Sequence, residues 1–271
     1  IDLLIGLALR GAGAVSSFAL AWLIAQVFGA RIVGLYQIGF TTATMLGVVA
    51  LLGHDLVLVR QISPLLRDEK WAQASGLFQA VRWFVLKSGI GLALLATLAA
   101  YPLAVYGLGE DASAPFIIAL SPMIALLPLM RVQNALLRCR GEVKVSQSLE
   151  GVLYTSIAVA VVGLLWLGIG DFPPLLIPAA VIAGQVLAVT IGYAMTARHL
   201  RQWPDSEGKA DPRSGAWIAA PPILTQASQW LILLVIAAFL SAAEAGVFRV
   251  AVLICMLMQL VKTSFATMTG P

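Results

Sequence analysis

The sequence predicts an all-α polytopic membrane protein. Of its 271 residues, 60% are hydrophobic and only 11% are charged, whereas a soluble domain is about half apolar and about a quarter charged. Seven stretches without Asp, Glu, Lys or Arg reach 19 residues or more, which lets a helix cross about 30 Å of hydrocarbon. These stretches lack the alternation that a transmembrane β-barrel needs. The composition therefore excludes a water-soluble enzyme and a disordered chain.

The apolar stretches predict about eight transmembrane helices. Seven are long enough without further argument, and the eighth is interrupted only by Arg249. Backbone groups in lipid must be satisfied within their own segment, so each stretch is expected to be helical. The expected helices span residues 4–29, 34–53, 84–107, 114–137, 148–169, 175–199, 215–240 and 244–266.

Basic residues are concentrated in alternate loops. Loops 54–87, 131–144 and 198–213 hold 13 of the 17 lysines and arginines, and the other loops hold Arg31 alone. Since Lys- and Arg-rich loops stay on the cytoplasmic side, we expect a multi-pass protein of the cytoplasmic (inner) membrane with a cytoplasmic N-terminus. The loops also account for the net charge of +4, so we expect membrane lipids and no nucleic acid as partners.

The first basic loop has helical periodicity. Ser63 and Pro64 resemble an N-cap and first helical residue, and apolar residues recur at spacings of three and four from Leu65 to Val81. The pattern predicts a short amphipathic helix, either on the inner leaflet or in solvent.

An internal repeat is visible when the chain is shifted by 212 residues. IAQVFGARIVGLYQI (24–38) then aligns with IAAFLSAAEAGVFRV (236–250), with identities at Ile24/Ile236, Ala25/Ala237, Ala30/Ala242 and Gly34/Gly246. The shift spans six helices, so both copies keep the same membrane orientation, as in transporters with parallel repeats.

The repeat predicts the domain organisation. Residues 1–200 form a first six-helix bundle and residues 215–271 the first two helices of a second. Residues 201–214, rich in Pro, Gly and charge, form a cytoplasmic linker. The chain is expected to be a fragment that stops after its eighth helix.

No pattern of residues points to catalysis or a cofactor. The sequence contains no P-loop, no Ser/His/Asp set and no CxxC pair, and its two histidines, His54 and His199, fall at helix ends. We therefore expect neither an enzyme nor a metal or cofactor site.

Three segments carry a family resemblance. Residues 21–40 (AWLIAQVFGARIVGLYQIGF) resemble the helix 1–2 junction of polysaccharide flippases, 53–63 (GHDLVLVRQIS) the segment leaving helix 2, and 241–254 (SAAEAGVFRVAVLI) the helix 7–8 junction. The chain thus resembles the multidrug/oligosaccharidyl-lipid/polysaccharide (MOP) exporter superfamily, in its Wzx-like polysaccharide transporter branch.

The resemblance implies a fold and a function. Members have twelve or fourteen helices in two MATE-like bundles around a V-shaped cavity. They move a polyprenyl-diphosphate-linked oligosaccharide from the inner to the outer leaflet for surface polysaccharides such as O-antigen lipopolysaccharide, which implies glycosyltransferases and a polymerase as partners. Trp230 stands where many relatives carry an acidic residue in helix 7, and this departure puts cation coupling through that residue in doubt.

Two other functions stay open. One is a multidrug or small-molecule cation-coupled antiporter of the same superfamily, which needs membrane-embedded carboxylates; outside the loops and the helix ends, none is evident in the first seven predicted helices. The other is a non-transporting membrane scaffold for glycan enzymes.

Charged and polar residues within predicted helices are the candidates for a substrate pathway. A cation in hydrocarbon costs at least about 2.5–3.5 kcal/mol and normally faces a cavity or partner. Arg10, followed on its helix face by Ser17, and Arg249 either line a cationic cavity that grips a diphosphate or snorkel to the interface. Gln226 and Gln229 either meet sugar hydroxyls or form interhelical contacts.

A candidate cytoplasmic gate follows the second predicted helix. Asp55 and Arg60 in GHDLVLVR form either a gate ion pair or an ordinary pair at the membrane interface.

Overall fold

A computed structural model of the chain describes residues 2–204, 224 and 230–269; the side chains at 2–7, 10 and 256–269 lie outside this description. The described part is helical, with α1 Asp2–Phe28, α2 Ala30–Leu51, α3 His54–Arg67, α4 Trp71–Pro102, α5 Ala114–Leu120, α6 Met123–Cys139, α7 Val143–Gln147, α8 Tyr154–Ile169, α9 Leu176–Leu200, α10 Trp230–Phe239 and α11 Ala242–Thr269. Two π-helical segments, Leu103–Gly107 and Ser148–Leu153, extend α4 and join α7 to α8.

Six segments of the described chain are long and apolar enough to cross a membrane: Gly11–Phe28, Ala30–Leu51, Trp71–Gly107, Asp111–Cys139, Val143–Ile169 and Leu176–Leu200. They correspond to the first six predicted helices. Large apolar side chains such as Leu98, Tyr106 and Leu167 are at least 80% exposed on them, as expected of surfaces that face lipid. The all-α membrane fold predicted from the sequence is confirmed.

The other two predicted helices are described in part. The seventh, 215–240, lies mostly outside the described residues and is represented by α10. The eighth corresponds to α11, which begins at Ala242. The linker at 201–214 lies outside the described residues beyond residue 204. The division of the chain into two bundles therefore stays a prediction.

The predicted amphipathic helix that starts at Ser63 is wrong. Helix α3 begins at His54, after a break at Leu52 and Gly53 with φ angles of 45° and 70°, and continues through Pro64. The Ser63 hydroxyl donates back to the Val59 carbonyl at 2.7 Å instead of capping a new helix. The N-cap signal was therefore read from a residue inside a helix.

The third predicted helix, 84–107, also begins too late. Helix α4 starts at Trp71 and continues unbroken into the apolar span. Phe78 and Val81, two of the periodic residues, lie in its first three turns. They share one buried cluster with Leu58 and Ile62 of α3. A loop helix and a membrane helix predicted separately are thus one element.

Three basic loops meet at one end of the molecule, called here the basic end. The Arg140 guanidinium lies 5.8 Å from the Trp71 ring centre, and Trp71 lies 5.6 Å from Trp203. His199 Nε2 lies 2.9 Å from Glu142 Oε1. These contacts join the loops after α3, α6 and α9, as the alternating charge pattern predicts.

The other ends of the helices form the opposite end. Arg31 Nη2 lies 2.7 Å from Glu110 Oε1, and the Phe28 and Phe172 rings meet edge to face at 5.0 Å. These contacts tie the start of α2 to the loops after α4 and α8. Helix α2 therefore runs from the opposite end at Ala30 to the basic end at Leu51.

The starts of two helices are separated by the same shift as the predicted repeat. Helix α2 begins at Ala30 and α11 at Ala242, 212 residues apart, which is the shift that aligns the two sequences. Helix α11 packs along α2 and α1. The segment predicted to belong to a second repeat thus lies directly against the first two helices of the chain.

Candidate functional site

A cavity of about 210 Å³ lies among α2, α6, the second π-helical segment and α8–α11. Its wall combines apolar side chains with two arginines, one carboxylate and several hydroxyl or amide groups. The lining residues are Phe40, Thr41, Thr44, Val48, Leu127, Met130, Arg131, Glu150, Tyr154, Gln185, Trp230, Leu233, Phe248, Arg249 and Val252. This mixture distinguishes the cavity from an ordinary gap between apolar helices.

Arg249 enters the cavity wall from α11. Its Nε is buried and has no hydrogen-bond partner among the described residues. An arginine stays charged in a protein, and a buried polar donor without a partner costs about 1–3 kcal/mol. An acceptor that enters the cavity would remove this cost.

A second charged group lies in the part of the cavity wall formed by the π-helical segment Ser148–Leu153. Glu150 Oε2 lies 3.5 Å from Arg138 Nη1, and Glu150 Oε1 lies 4.0 Å from Arg131 Nε. All three side chains are about one third exposed, so water and a ligand can reach them. Glu150 belongs to the π-helical segment Ser148–Leu153, a backbone feature frequent at functional sites.

Gln185 supplies a neutral polar group. Its side chain is fully buried, and its Nε2 donates to the Met130 sulfur at 3.3 Å. Its Oε1 has no partner among the described residues. A buried acceptor without a donor fits a ligand that brings hydroxyl or amine hydrogens.

The charges of the cavity wall favour an anion. Arg131 and Arg249 outnumber Glu150, and Arg138 adds a third positive charge beside that carboxylate. The volume is below the roughly 300–1,000 Å³ of sites that enclose a drug-sized ligand. The cavity therefore suits a compact charged group that is part of a larger molecule.

Of the predicted pathway residues, the structure places Arg249 in the cavity wall and Ser17 away from it. Arg249 lines the cavity, whereas the Ser17 hydroxyl donates to the Gly13 carbonyl of its own helix at 2.9 Å and is not among the lining residues. The side chain of Arg10, on α1, and both Gln226 and Gln229 lie outside the described residues. Their places in the pathway stay predictions.

Asp55 and Arg60 lie together on α3 at the basic end but do not form an ion pair with each other. Asp55 Oδ1 accepts the backbone N–H of Leu56 at 2.9 Å, and Arg60 is exposed. Five positions apart, they point to different sides of the helix. Their role as a cytoplasmic gate stays a prediction.

Sequence reasoning missed most of the cavity wall. The charge pattern assigns Arg131 to a basic loop, and Glu150 falls at the start of the predicted helix 148–169, where a carboxylate does not count as membrane-embedded. The structure places both in the cavity, with Tyr154 and Gln185. One feature of the sequence points to these two residues: Glu150 and Arg131 each lie a turn or two inside an apolar helix.

The fold defines a class of protein. This class is the integral membrane proteins that cross the bilayer with several apolar helices. A solved structure described as "Structure of MATE multidrug transporter DinF-BH in complex with R6G" matches with a TM-score of 0.70 and 14% identity, covering 95% of this chain and 60% of that one. A second chain, described as "protein A", matches with a TM-score of 0.66 and 16% identity, covering 94% and 61%.

The other comparisons limit what these matches show. The chain spans about 60% of the length of the two solved structures, and at these identities the likeness shows a shared fold alone. No protein-family model matches the chain, and no curated protein matches it. The MATE-like fold is therefore shown, whereas the polysaccharide branch, substrate and coupling ion are matters for a proposal.

Proposed function

We propose that the protein is an alternating-access flippase for a polyprenyl-diphosphate-linked oligosaccharide, which it moves from the inner to the outer leaflet of the cytoplasmic membrane. The observation that carries this proposal is Arg249, a part-buried arginine whose buried Nε lacks a partner within the described residues, in a cavity whose described wall has a positive excess. A diphosphate supplies both the charge and the acceptors that this site lacks.

The cavity has separate groups for the two parts of such a headgroup. Arg249 and Arg131 face the diphosphate, while Gln185 and Tyr154 offer hydrogen bonds to the first sugar. The lipid tail stays in the bilayer. This division agrees with a cavity that is too small for a whole oligosaccharide but sufficient for its charged end.

The membrane potential provides a direction. With the basic end in the cytoplasm, an anionic headgroup moves outward along the potential. Each charge contributes about 2.3 kcal/mol per 100 mV. A headgroup with two negative charges therefore gains enough free energy to bias the two states of the transporter without a further ion.

The second candidate function is a cation-coupled multidrug antiporter. It is favoured by the fold of the matching MATE structure and by the carboxylate of Glu150 in the cavity wall. Glu150, however, lies near two arginines, which compete with a cationic drug for it. The charge balance of the described cavity thus favours the flippase.

Ligand binding to the intact purified protein separates the two functions. We expect the oligosaccharide linked to a lipid through a diphosphate to bind at least tenfold more tightly than the same oligosaccharide linked directly to a neutral lipid alcohol. Organic cations should bind weakly. Arg249→Gln should remove this preference, whereas Arg31→Gln, at the opposite end, should keep it. Tight binding of an organic cation, with no preference for the diphosphate, would support the antiporter instead.

A further inference from the structure

Helices α4 and α9 both pack on α6, and their side chains meet across it near the basic end. The Arg82 guanidinium of α4 lies 5.4 Å from the centre of the Tyr193 ring of α9. Nearer the basic end, the Trp71 and Trp203 rings lie 5.6 Å apart. The surface between α4 and α9, from Arg82 and Tyr193 toward the opposite end, is called here the α4–α9 groove.

Both walls of this groove are exposed and change from apolar to aromatic toward the basic end. On α4, Ile90 and Trp83 are 47% and 52% exposed. On α9, Val186 and Tyr193 are 45% and 51% exposed. The residues of each pair are seven positions apart, which places them on one face of their helix. Since aromatic side chains favour the level of the lipid headgroups, that level lies at Arg82, Trp83 and Tyr193.

Arg82 brings a charge to this level without a carboxylate to neutralise it. It forms no ion pair with any residue that the structure describes, and an arginine stays charged in a protein. The guanidinium lies over the Tyr193 ring, so the N–H groups at its edge are free to donate. Two of these donors match two oxygens of a phosphate. A lipid phosphate therefore supplies the acceptor that Arg82 lacks.

The charges of the three helices distinguish between classes of phospholipid. Helices α4, α6 and α9 contain five lysines and arginines but no Asp or Glu. The positively charged amine of a zwitterionic phospholipid therefore has no carboxylate partner on them. An acidic phospholipid such as phosphatidylglycerol has a net negative charge and no such amine. Basic sites between membrane helices bind acidic headgroups in this way.

We propose that the α4–α9 groove binds one acidic phospholipid from the leaflet at the basic end. Its phosphate pairs with Arg82 beside Tyr193, and its acyl chains lie along Ile90 and Val186. The site is separate from the cavity, whose lining residues include none of these four. The bound lipid joins α4 to α9, and it does so whichever substrate the protein transports.

Native mass spectrometry of the intact, delipidated protein tests the site. The probes are phosphatidylglycerol and phosphatidylcholine with identical acyl chains, each added over a range of concentrations. We expect the first phosphatidylglycerol to bind at least tenfold more tightly than the first phosphatidylcholine. Because a ligand of the folded state stabilises it, phosphatidylglycerol should also raise the Tm more. Equal affinities of the two lipids would overturn the proposal without the need for any variant.

Arg82→Gln should abolish the preference for phosphatidylglycerol, because it removes the charge that pairs with the phosphate. Lys87→Gln is the matched control and should keep the preference. Lys87 is an exposed cation on the same helix, but five positions from Arg82 it points to a different side. A preference retained in folded Arg82→Gln, or an equal loss in both variants, would overturn the site. Neither result depends on the proposed flippase, since no transported substrate is present.

Discussion

The charged side chains of the cavity wall differ in the hydrogen-bond and ion-pair partners that they have. The Nε of Arg249 lacks a partner among the described groups, whereas Arg131 and Arg138 share Glu150 at 4.0 and 3.5 Å. These distances are long for charge-assisted hydrogen bonds. Glu150 is therefore a loosely held counter-ion, and under the proposed function an entering phosphate would displace it from Arg131.

This arrangement predicts the effect of neutralising Glu150. In Glu150→Gln, an anionic substrate no longer competes with a carboxylate, so its affinity should rise. A part-exposed ion pair is worth at most about 1 kcal/mol, so we expect an increase of no more than about fivefold. Titration of the purified protein with the lipid diphosphate measures this change. Glu110→Gln, which removes a carboxylate at the opposite end, should leave the affinity unchanged. Weaker binding in Glu150→Gln would mean that Glu150 contacts the substrate directly.

A residue of the cavity wall could be predicted from the sequence only where a charged residue interrupts a long apolar stretch. Arg249 interrupts an apolar stretch, and its placement in a cavity was one of two predicted outcomes. Glu150 and Arg131 were hidden because their significance depends on how α6 packs against the π-helical segment. That packing is a long-range contact, which no local pattern encodes.

Glycines set the spacing of the helices that carry the site. A Cβ on Gly184 of α9 would lie 2.6 Å from the Tyr154 carbonyl, and one on Gly13 of α1 would lie 3.0 Å from the Gly151 carbonyl. Both neighbours lie in or beside the π-helical segment that carries Glu150. The close packing of α1 and α9 thus fixes the part of the cavity wall that carries Glu150.

Gly184→Ala tests this packing. The added methyl group has no space against the backbone of α8, and overpacking of this kind typically costs about 1–3 kcal/mol. We expect a lower Tm of the detergent-solubilised protein and weaker binding of the anionic ligand, because Tyr154 moves with its helix. Gly91→Ala has open space around its Cβ and should not lower the Tm. A Gly184→Ala variant as stable as the parent protein would show that α9 can move away from α8 without cost.

The helices themselves were largely predictable, and the errors have a common cause. Long apolar stretches located the six described spans, because lipid permits few other structures. The segment from His54 to Val81 was divided wrongly, since Ser63 and Pro64 carry the pattern of a helix start. Tertiary packing of Trp71 and Phe78 at the basic end decided where α4 begins.

On the scale of the whole molecule, the repeat is the feature that joins sequence to mechanism. Two equivalent glycines, Gly34 and Gly246, lie 212 residues apart and meet each other's predicted repeat where α2 packs on α11. The cavity lies on one side of this contact, with one wall from each repeat. Under the proposed function, the affinity for a substrate that contacts both walls depends on how the two predicted repeats are placed relative to each other, as alternating access requires.

Transport by the intact protein in sealed liposomes tests the central claim most directly. The readout is movement of a lipid-linked diphosphate oligosaccharide between leaflets, with and without a membrane potential. The account predicts that the membrane potential accelerates movement of the lipid-linked diphosphate toward the positive side of the membrane. Arg249→Gln should slow this movement at least tenfold, since a hydrogen bond to a charged group is worth about 1.5–3 kcal/mol. Equal rates for the parent protein and Arg249→Gln, or transport of organic cations but not of the lipid diphosphate, would contradict it.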